Sequence, residues 1–234
     1  MRRLTVSLEA FCTLREAGGV QELDLAAAAA LAELAGADGI RLGLCEELRP
    51  ARESDARELR RPGRELELRM GPSQTLLKLA LEVRPDRVLL GGEGRVPGAG
   101  PLNPRGLASA AGPVLRTLRE SGIAAAVLVS PEIEAVKAAH AAGAEAVELH
   151  TGMLADLPPA ERAPLLERLA DASRLATKLR LGPTLGGGLG FRSLPAVLAA
   201  APSAEGVAVG RALVSRAALL GIDRAVRDLR SLVG

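Results

Sequence analysis

Aromatic residues are almost absent from this chain. Its 234 residues include no Trp, no Tyr and 2 Phe. Proteins that hold single-stranded nucleic acid stack the bases on aromatic side chains, so this composition argues against that function. Lys and Arg total 30 and Asp and Glu total 28, which leaves a net charge of only +2. Because no large field of one sign exists to attract phosphate backbones or anionic lipid, we expect neither a nucleic-acid partner nor a membrane partner.

Residues that commonly bind metals or form disulfides are also scarce. The chain has 2 Cys, Cys12 and Cys45, and 2 His, His140 and His150. Two cysteines cannot build a disulfide framework, and this set does not supply a zinc site. We therefore expect no transition-metal site. Both cysteines fall in or next to predicted strand ends, but neither has a nearby His or Lys in sequence to lower its pKa, so a nucleophilic role is disfavoured.

Long apolar runs are missing. The most apolar stretch, residues 23–35, is interrupted by Asp24 and Glu33 and is shorter than the roughly 20 residues that cross a bilayer. The basic N-terminus leads into an alternating pattern and not into a secretory apolar core. These features predict no membrane span, no signal peptide and a cytoplasmic location.

Short apolar or alternating segments instead alternate with longer segments of helical period. Eight such units predict parallel strands joined by helices, which is the count that closes a barrel. We predict an α/β protein, one (β/α)₈ TIM barrel domain over residues 1–234. An open doubly wound sheet is the alternative, but no Gly-x-Gly-x-x-Gly turn follows the first strand. The predicted strands are 4–9, 39–45, 65–70, 87–91, 124–129, 146–150, 181–185 and 206–210.

The predicted helices carry recognisable start signals. Their N-caps are assigned to Asp24, Ser54, Ser73, Asn103 and Ser130. The predicted helices are 24–35, 54–61, 73–83, 104–120, 131–142, 159–179, 193–200 and 216–232. The longest irregular segment, residues 91–104, follows strand four and is predicted to be a functional loop.

Glycines follow strand seven and surround strand eight. TIM barrels often bind phosphate in the loops after these strands, because glycine lets backbone N–H groups approach the oxygens. The predicted phosphate-binding residues are Gly186, Gly187, Gly188 and Gly206. The alternative is that these glycines serve only tight turns.

Charged residues occupy one face of several strands. Period two places Glu148 and His150 together on strand six, where Glu148 is a candidate general acid or base and His150 lines the site. A buried hydrogen-bonded pair without chemistry is the alternative. The same argument turns Ser7 and Glu9 of strand one inward. It also turns Arg69 of strand three inward, where it should pair with Glu9, Glu67 or Glu148 because a buried charge needs a partner. Cys45 and Thr151 complete the predicted lining.

The order of several short motifs resembles the pyridoxine 5'-phosphate synthase family over essentially the whole chain. These motifs are Thr13-Leu14-Arg15, Ala37-Asp38-Gly39-Ile40, Glu46 with Arg49, Glu148-Leu149-His150-Thr151-Gly152, Gly186-x-Gly188-Leu189 and Gly210-Arg211-Ala212. The resemblance implies a (β/α)₈ homo-oligomer that condenses 1-deoxyxylulose 5-phosphate with 3-amino-2-oxopropyl phosphate. It also implies that this chemistry, which closes the pyridine ring of vitamin B6, uses neither a metal nor an organic cofactor.

The chain departs from the family pattern at several catalytic positions. The family's Asn-x-Asp-His on strand one reads Ser7, Glu9 and Ala10 here, and its strand-two histidines and arginine read Gly43, Cys45 and Pro50. Its strand-three glutamate aligns with Arg69, its loop histidine with Gly187, and its strand-eight Gly-His with Glu205-Gly206. Each lost acid or base typically lowers the rate by about 10²- to 10⁴-fold.

We therefore expect a divergent family member that is impaired or silent in the family condensation and that binds a phosphorylated small molecule. The first alternative is an authentic synthase in which Glu9 and Glu148 do the acid–base work. The second is a structural or protein-interaction module on an inactive barrel. The expected partners are further copies of the chain, or an active homologue.

Overall fold

Eight parallel strands form a closed barrel in which each strand pairs with its neighbours in sequence and β8 returns to β1. The computed structural model describes residues 1–19, 22–92, 100–155 and 157–234. The strands are β1 Arg3–Ser7, β2 Gly39–Gly43, β3 Leu66–Met70, β4 Arg87–Leu90, β5 Ala124–Val129, β6 Ala146–His150, β7 Gly182–Gly186 and β8 Gly206–Val209. The predicted (β/α)₈ barrel is confirmed.

Helices surround the barrel. They are α1 Glu9–Gly18, α2 Leu25–Leu34, α3 Glu53–Leu59, α4 Gln74–Val83, α5 Leu107–Glu120, α6 Ile133–Ala141, α7 Gly152–Ala155, α8 Ala163–Lys178, α9 Leu194–Ala200, α10 Arg211–Leu220 and α11 Ile222–Val233. Two short 3₁₀ turns, Pro104–Gly106 and Pro159–Glu161, precede α5 and α8. Within the described residues, no helix is long and apolar enough to cross a membrane.

Successive side chains of a strand point alternately to the surrounding helices and to the barrel interior. On β1, Leu4 and Val6 are fully buried in the main hydrophobic core between strands and helices. Thr5 and Ser7 alternate with them and point into the barrel, where Ser7 lies beside Arg41 of β2 in the register. The barrel interior is therefore polar on the β1, β2 and β3 side, whereas Leu89, Ala126 and Leu128 form a small apolar cluster on the β4 and β5 side.

Several predicted helix boundaries agree with the structure. Asp24 accepts from the N–H groups of Ala26 and Ala27, Ser73 accepts from Leu76, and Asn103 accepts from Arg105, so these three caps are confirmed. Two predicted caps are wrong. Ser54 lies inside α3, which begins at Glu53, and Ser130 precedes α6 by three positions.

Two helical segments differ from the sequence prediction. Helix α1 was not predicted, and it begins at Glu9, where the first strand was expected to continue. At the other end of the chain, Arg211–Leu220 and Ile222–Val233 replace the single predicted helix 216–232. Gly221, with φ of +81° and ψ of 158°, separates the two because this non-helical conformation, which glycine readily adopts, interrupts a helix.

Candidate active site

The carboxyl ends of the strands carry most of the predicted site residues. Ser7, Arg69 and His150 stand at or next to the last residues of β1, β3 and β6, and Gly186 ends β7. Glu9 follows β1 as the first residue of α1. In TIM barrels this face holds the active site, because the loops that follow the strands converge there. We call this face the barrel mouth.

A buried ion cluster lies below the mouth. Arg41 donates to both carboxylate oxygens of Glu148, with 3.0 Å between Nη1 and Oε1, and its Nε donates to Glu67. Arg41 is 4% exposed and Glu148 is 1% exposed. Register explains the contact with Glu67, since that residue lies directly opposite Arg41 on β3. The contact with Glu148 crosses the barrel interior from β2 to β6.

The Arg41 guanidinium stays protonated in this cluster. Burial opposes the charge on the guanidinium, but the attractions of Glu148 and Glu67 outweigh it and raise the pKa of Arg41 above its ordinary value. The structure therefore gives Glu148 a buried cationic partner that fixes the orientation of its carboxylate. Sequence reasoning missed Arg41. Its signal was an arginine between the apolar residues Ile40 and Leu42 on a strand, which places it on the inward face.

Glu9 and Arg69 face each other at the mouth. Arg69 Nη1 lies 3.8 Å from Glu9 Oε2, so Glu9, one of the three predicted partners of Arg69, is its partner in this ion pair. The other two, Glu67 and Glu148, both pair with Arg41. Glu9 leans over the end of β2, where a Cβ at Gly43 would lie 2.5 Å from its Cδ. Ser7 Oγ accepts from the backbone N–H of Glu9 at 3.5 Å.

His150 stands between two glycines. A Cβ at Gly152 would lie 2.5 Å from its Cε1, and a Cβ at Gly187 would lie 2.4 Å from its Cδ2. Burial is the main cause of a lowered pKa, and the positive charges of Arg69 and Arg211 add to it while Glu148 opposes it. The imidazole is therefore neutral at pH 7, and a neutral imidazole can both accept and donate a proton.

Thr151 ties the loop after β7 to the end of β6. Its Oγ1 lies 2.9 Å from Gly186 O and 2.6 Å from Gly187 O, and its backbone N–H donates to Gly186 O. Gly187 and Gly188 have φ of +79° and +69°, so the loop needs glycine for its backbone. A Cβ at Gly186 would meet Glu148 Oε1 at 2.0 Å. Backbone conformation and close packing thus account for glycine at these three positions without any ligand. Phosphate binding by this loop stays a prediction.

The structure does not bring Gly206 to this loop. Gly206 is the first residue of β8 and pairs with Arg3, so it lies at the amino end of the strand, away from the mouth. The strand ends at Val209, and the glycine that follows its carboxyl end is Gly210, the N-cap of α10. The prediction that Gly206 lies beside Gly186, Gly187 and Gly188 is wrong. Strand β8 begins where it was predicted to begin, but the barrel mouth is at the carboxyl end of the strand and Gly206 is at the amino end.

The two cysteines have separate surroundings. Cys12 lies within α1 in the hydrophobic core, so its expected place at a strand end is wrong. Burial, reinforced by Asp55, raises the pKa of its thiol to about 12. Cys45 is buried in the loop after β2, where its Sγ donates to Arg49 O at 2.7 Å. Residues 93–99, which make up half of the predicted functional loop 91–104, lie outside the described residues.

Metal ligands are not assembled in the described part of the chain. No group of three His, Cys, Asp or Glu residues there is placed to hold a metal ion. The mouth instead offers carboxylates, guanidinium groups, one imidazole and a glycine loop. Such a set suits proton transfer on a small anionic molecule.

Comparison with known proteins identifies the relatives of this barrel. The sequence model of the pyridoxal phosphate biosynthesis protein PdxJ matches residues 4–234. The chain belongs to the PdxJ family. Pyridoxine 5'-phosphate synthase of Syntrophotalea carbinolica is 37% identical, with 100% of this chain and 99% of that protein aligned. The synthase of a Synechococcus strain is 39% identical over the same shares.

Solved structures share the fold of this family member at low sequence identity. A 3-keto-L-gulonate-6-phosphate decarboxylase from Vibrio cholerae has a TM-score of 0.67 at 16% identity, covering 100% of this chain and 98% of that one. A 3-hexulose-6-phosphate synthase has a TM-score of 0.65 at 19% identity, covering 100% of both chains. These similarities support the barrel architecture alone.

Proposed function

We propose that this chain is a pyridoxine 5'-phosphate synthase, which condenses 1-deoxyxylulose 5-phosphate with 3-amino-2-oxopropyl phosphate. The observation that carries the proposal is similarity over the full chain, at 35% to 39% identity, to PdxJ relatives that bear this name. Their names give no indication of lost activity, so the impairment expected from the sequence becomes the second candidate.

The mouth supplies groups for the proton transfers that ring closure needs. His150 is neutral and half-buried, which suits a group that takes a proton in one step and returns it in another. Glu9 provides a second protein group at the mouth, a carboxylate that pairs with Arg69. Glu148, held by Arg41, serves as a fixed negative charge below the reacting atoms. The loop of Gly186, Gly187 and Gly188 provides backbone N–H groups for a phosphate.

A direct assay tests the proposal. Purified chain is mixed with both substrates, and pyridoxine 5'-phosphate is quantified by chromatography against a reaction without protein. We expect product from the wild type and a loss of about 10²- to 10⁴-fold in His150→Gln. Glu16→Gln is the control, because it removes an exposed carboxylate of α1 that pairs with Arg49. No product from a folded wild type contradicts the proposal.

A barrel silent in this condensation is the second candidate. The observation in its favour is the ion cluster, because Glu148 is engaged on both oxygens by Arg41 and is almost fully buried. The positions of Ala10, Gly43, Pro50 and Gly187 also lack imidazole groups. This candidate predicts binding of phosphorylated small molecules without turnover. The assay above, combined with a thermal-shift titration of the same substrates, separates the two candidates.

A further inference from the structure

A carboxylate oxygen of Glu9, at the barrel mouth, has no hydrogen-bond partner in the part of the chain that the structure describes. This oxygen, Oε1, is also shielded from solvent. Burying a carboxylate oxygen without a donor is unfavourable, and folded proteins usually avoid it. The Arg69 guanidinium is 3.8 Å away from the other oxygen, Oε2, a distance too long for a hydrogen bond. The position of Oε1 therefore suits a hydrogen-bond donor that none of the described residues supplies.

Gly43 is what allows Glu9 to lie there. Its missing Cβ would fall 2.5 Å from both Cδ and Oε1 of Glu9. The carboxylate thus occupies the space above the end of β2 that any other residue at position 43 would fill. Gly43 has no positive φ, so its backbone does not require glycine. Room for the Glu9 carboxylate is the reason that the structure gives for this glycine.

Positive charge lies close to this carboxylate. Arg69 pairs with Glu9 at the end of β3. Arg211 begins α10, and the preceding Gly210 packs closely on Ser7, with 3.1 Å between the site of its missing Cβ and the Ser7 Cβ. The start of α10 and the end of β1 therefore adjoin. The Glu9 side chain, 17% exposed, therefore shares the mouth with the Arg69 guanidinium, and Arg211 lies near enough to His150 to help lower its pKa.

We propose that Glu9 Oε1 binds the amino group of a ligand whose phosphate is held by the positive side of the mouth. This inference rests on the proposed function, since it assigns the amino ketone substrate to Glu9 as its recognition residue. Glu148, by contrast, has both oxygens occupied by Arg41 and is available to no ligand amine. The mouth thus prefers phosphate esters that also carry an amino group, and Glu9 is the residue that gives this preference.

Three stable phosphates of equal chain length test the proposal. 3-Aminopropyl phosphate, 3-hydroxypropyl phosphate and propyl phosphate are titrated into the full chain by calorimetry at pH 7. We expect the amine to bind at least about tenfold more tightly than propyl phosphate, as a charge-assisted contact predicts. A hydroxyl compound that binds as tightly as the amine would overturn the assignment to an amino group.

Variants locate the preference. Glu9→Gln should bring the ratio of the amine and propyl affinities to about one while propyl phosphate binds as before. Gly43→Ala keeps the carboxylate but displaces it, so it should also lower the ratio, and it changes only a flexible side-chain contact. Glu16→Gln should leave the ratio unchanged. Wild type without a preference, a preference that survives in Glu9→Gln, or no binding of any probe each overturns the inference.

The binding experiments and the synthase assay can fail independently of each other. A chain that prefers the amine through Glu9 but forms no pyridoxine 5'-phosphate retains this inference and refutes the proposed function. A chain that forms the product without any preference that depends on Glu9 gives the opposite result.

Discussion

The imidazole of His150 occupies the space that a side chain at position 187 would need. A Cβ built on Gly187 lies 2.4 Å from Cδ2 and 2.6 Å from Nε2 of this histidine. Gly187 also has φ of +79°. Position 187 therefore needs glycine for two reasons, its positive φ and the closeness of the His150 ring. An experiment can separate these two reasons.

Gly187→Ala should be destabilised for both reasons. The left-handed conformation alone costs roughly 1–2 kcal/mol for a residue with a Cβ, and displacement of His150 adds to it. Gly63→Ala is the matched control, because Gly63 has φ of +81° and nothing within 4 Å of its missing Cβ. Urea unfolding of both variants measures the difference. Equal losses would mean that His150 moves away without a cost.

The strands were the easiest elements to predict. Segments 124–129 and 146–150 coincide with β5 and β6, because strands covered by helices on one face read as short apolar runs between turn signals. Helix α1 was hidden by two features. Its N-cap, Leu8, makes no side-chain capping bond, and the chain enters it one residue after β1 ends. The alternation of the strand therefore seemed to continue to Glu9.

The inward faces were also predictable, but the pairing of charges was not. Period two correctly turned Glu148, Glu67 and Arg69 into the barrel. Which of these groups meet depends on the register and tilt of the strands, which bring Arg41 of β2 to Glu148 of β6 across the interior. No local pattern in one strand contains that information. The same limit explains why Gly206 was grouped with the wrong end of the barrel.

The lowered pKa of His150 predicts a pH dependence of stability. The ordinary value is 6.5, and the folded value lies below it. Between the two values the unfolded chain binds more protons than the folded chain, so stability rises with pH in this interval. As pH falls below 6.5, wild type should lose stability, and the loss is complete below the folded pKa.

His150→Gln should remove this contribution. The variant's free energy of unfolding should decline less than that of wild type as pH falls from neutrality, when urea midpoints are compared across the interval. His140→Gln removes the other, exposed imidazole and serves as the control. Parallel curves for wild type and His150→Gln would contradict the burial and the positive surroundings that the structure assigns to this ring.

The core thiol of Cys12 should be unreactive in the folded protein. Its pKa is raised to about 12, so the nucleophilic thiolate is scarce at pH 8, and its side chain is buried. In a Cys45→Ser background, a thiol reagent should label Cys12 only after addition of denaturant. Rapid labelling under native conditions would show that α1 detaches readily from the barrel.

The Arg41 cluster should dominate the stability of the barrel interior. Arg41→Met keeps much of the volume but leaves Glu148 and Glu67 without their shared cation, and breaking a buried pair in this way costs roughly 3–5 kcal/mol. Neutralising both carboxylates, in Arg41→Met combined with Glu67→Gln and Glu148→Gln, should recover much of the loss. Arg57→Met, which breaks exposed pairs with Glu53 and Glu82, is the control and should change the urea midpoint little. If the triple variant is no more stable than Arg41→Met, lost packing and not unpaired charge explains the effect.

Thr151 should support the glycine loop through its hydroxyl. Thr151→Val keeps the shape of the side chain but removes the donor that faces Gly186 O and Gly187 O. Since the hydroxyl is buried, we expect a loss of about 1–3 kcal/mol, and Thr151→Ser, which keeps the donor, should lose less. If the loop holds a phosphate, Thr151→Val should also weaken binding of propyl phosphate in calorimetry, because the N–H groups of the loop are then less well positioned. A Thr151→Val variant that unfolds at the wild-type midpoint would mean that the two carbonyls find other donors, and that the loop does not depend on the end of β6 for its shape.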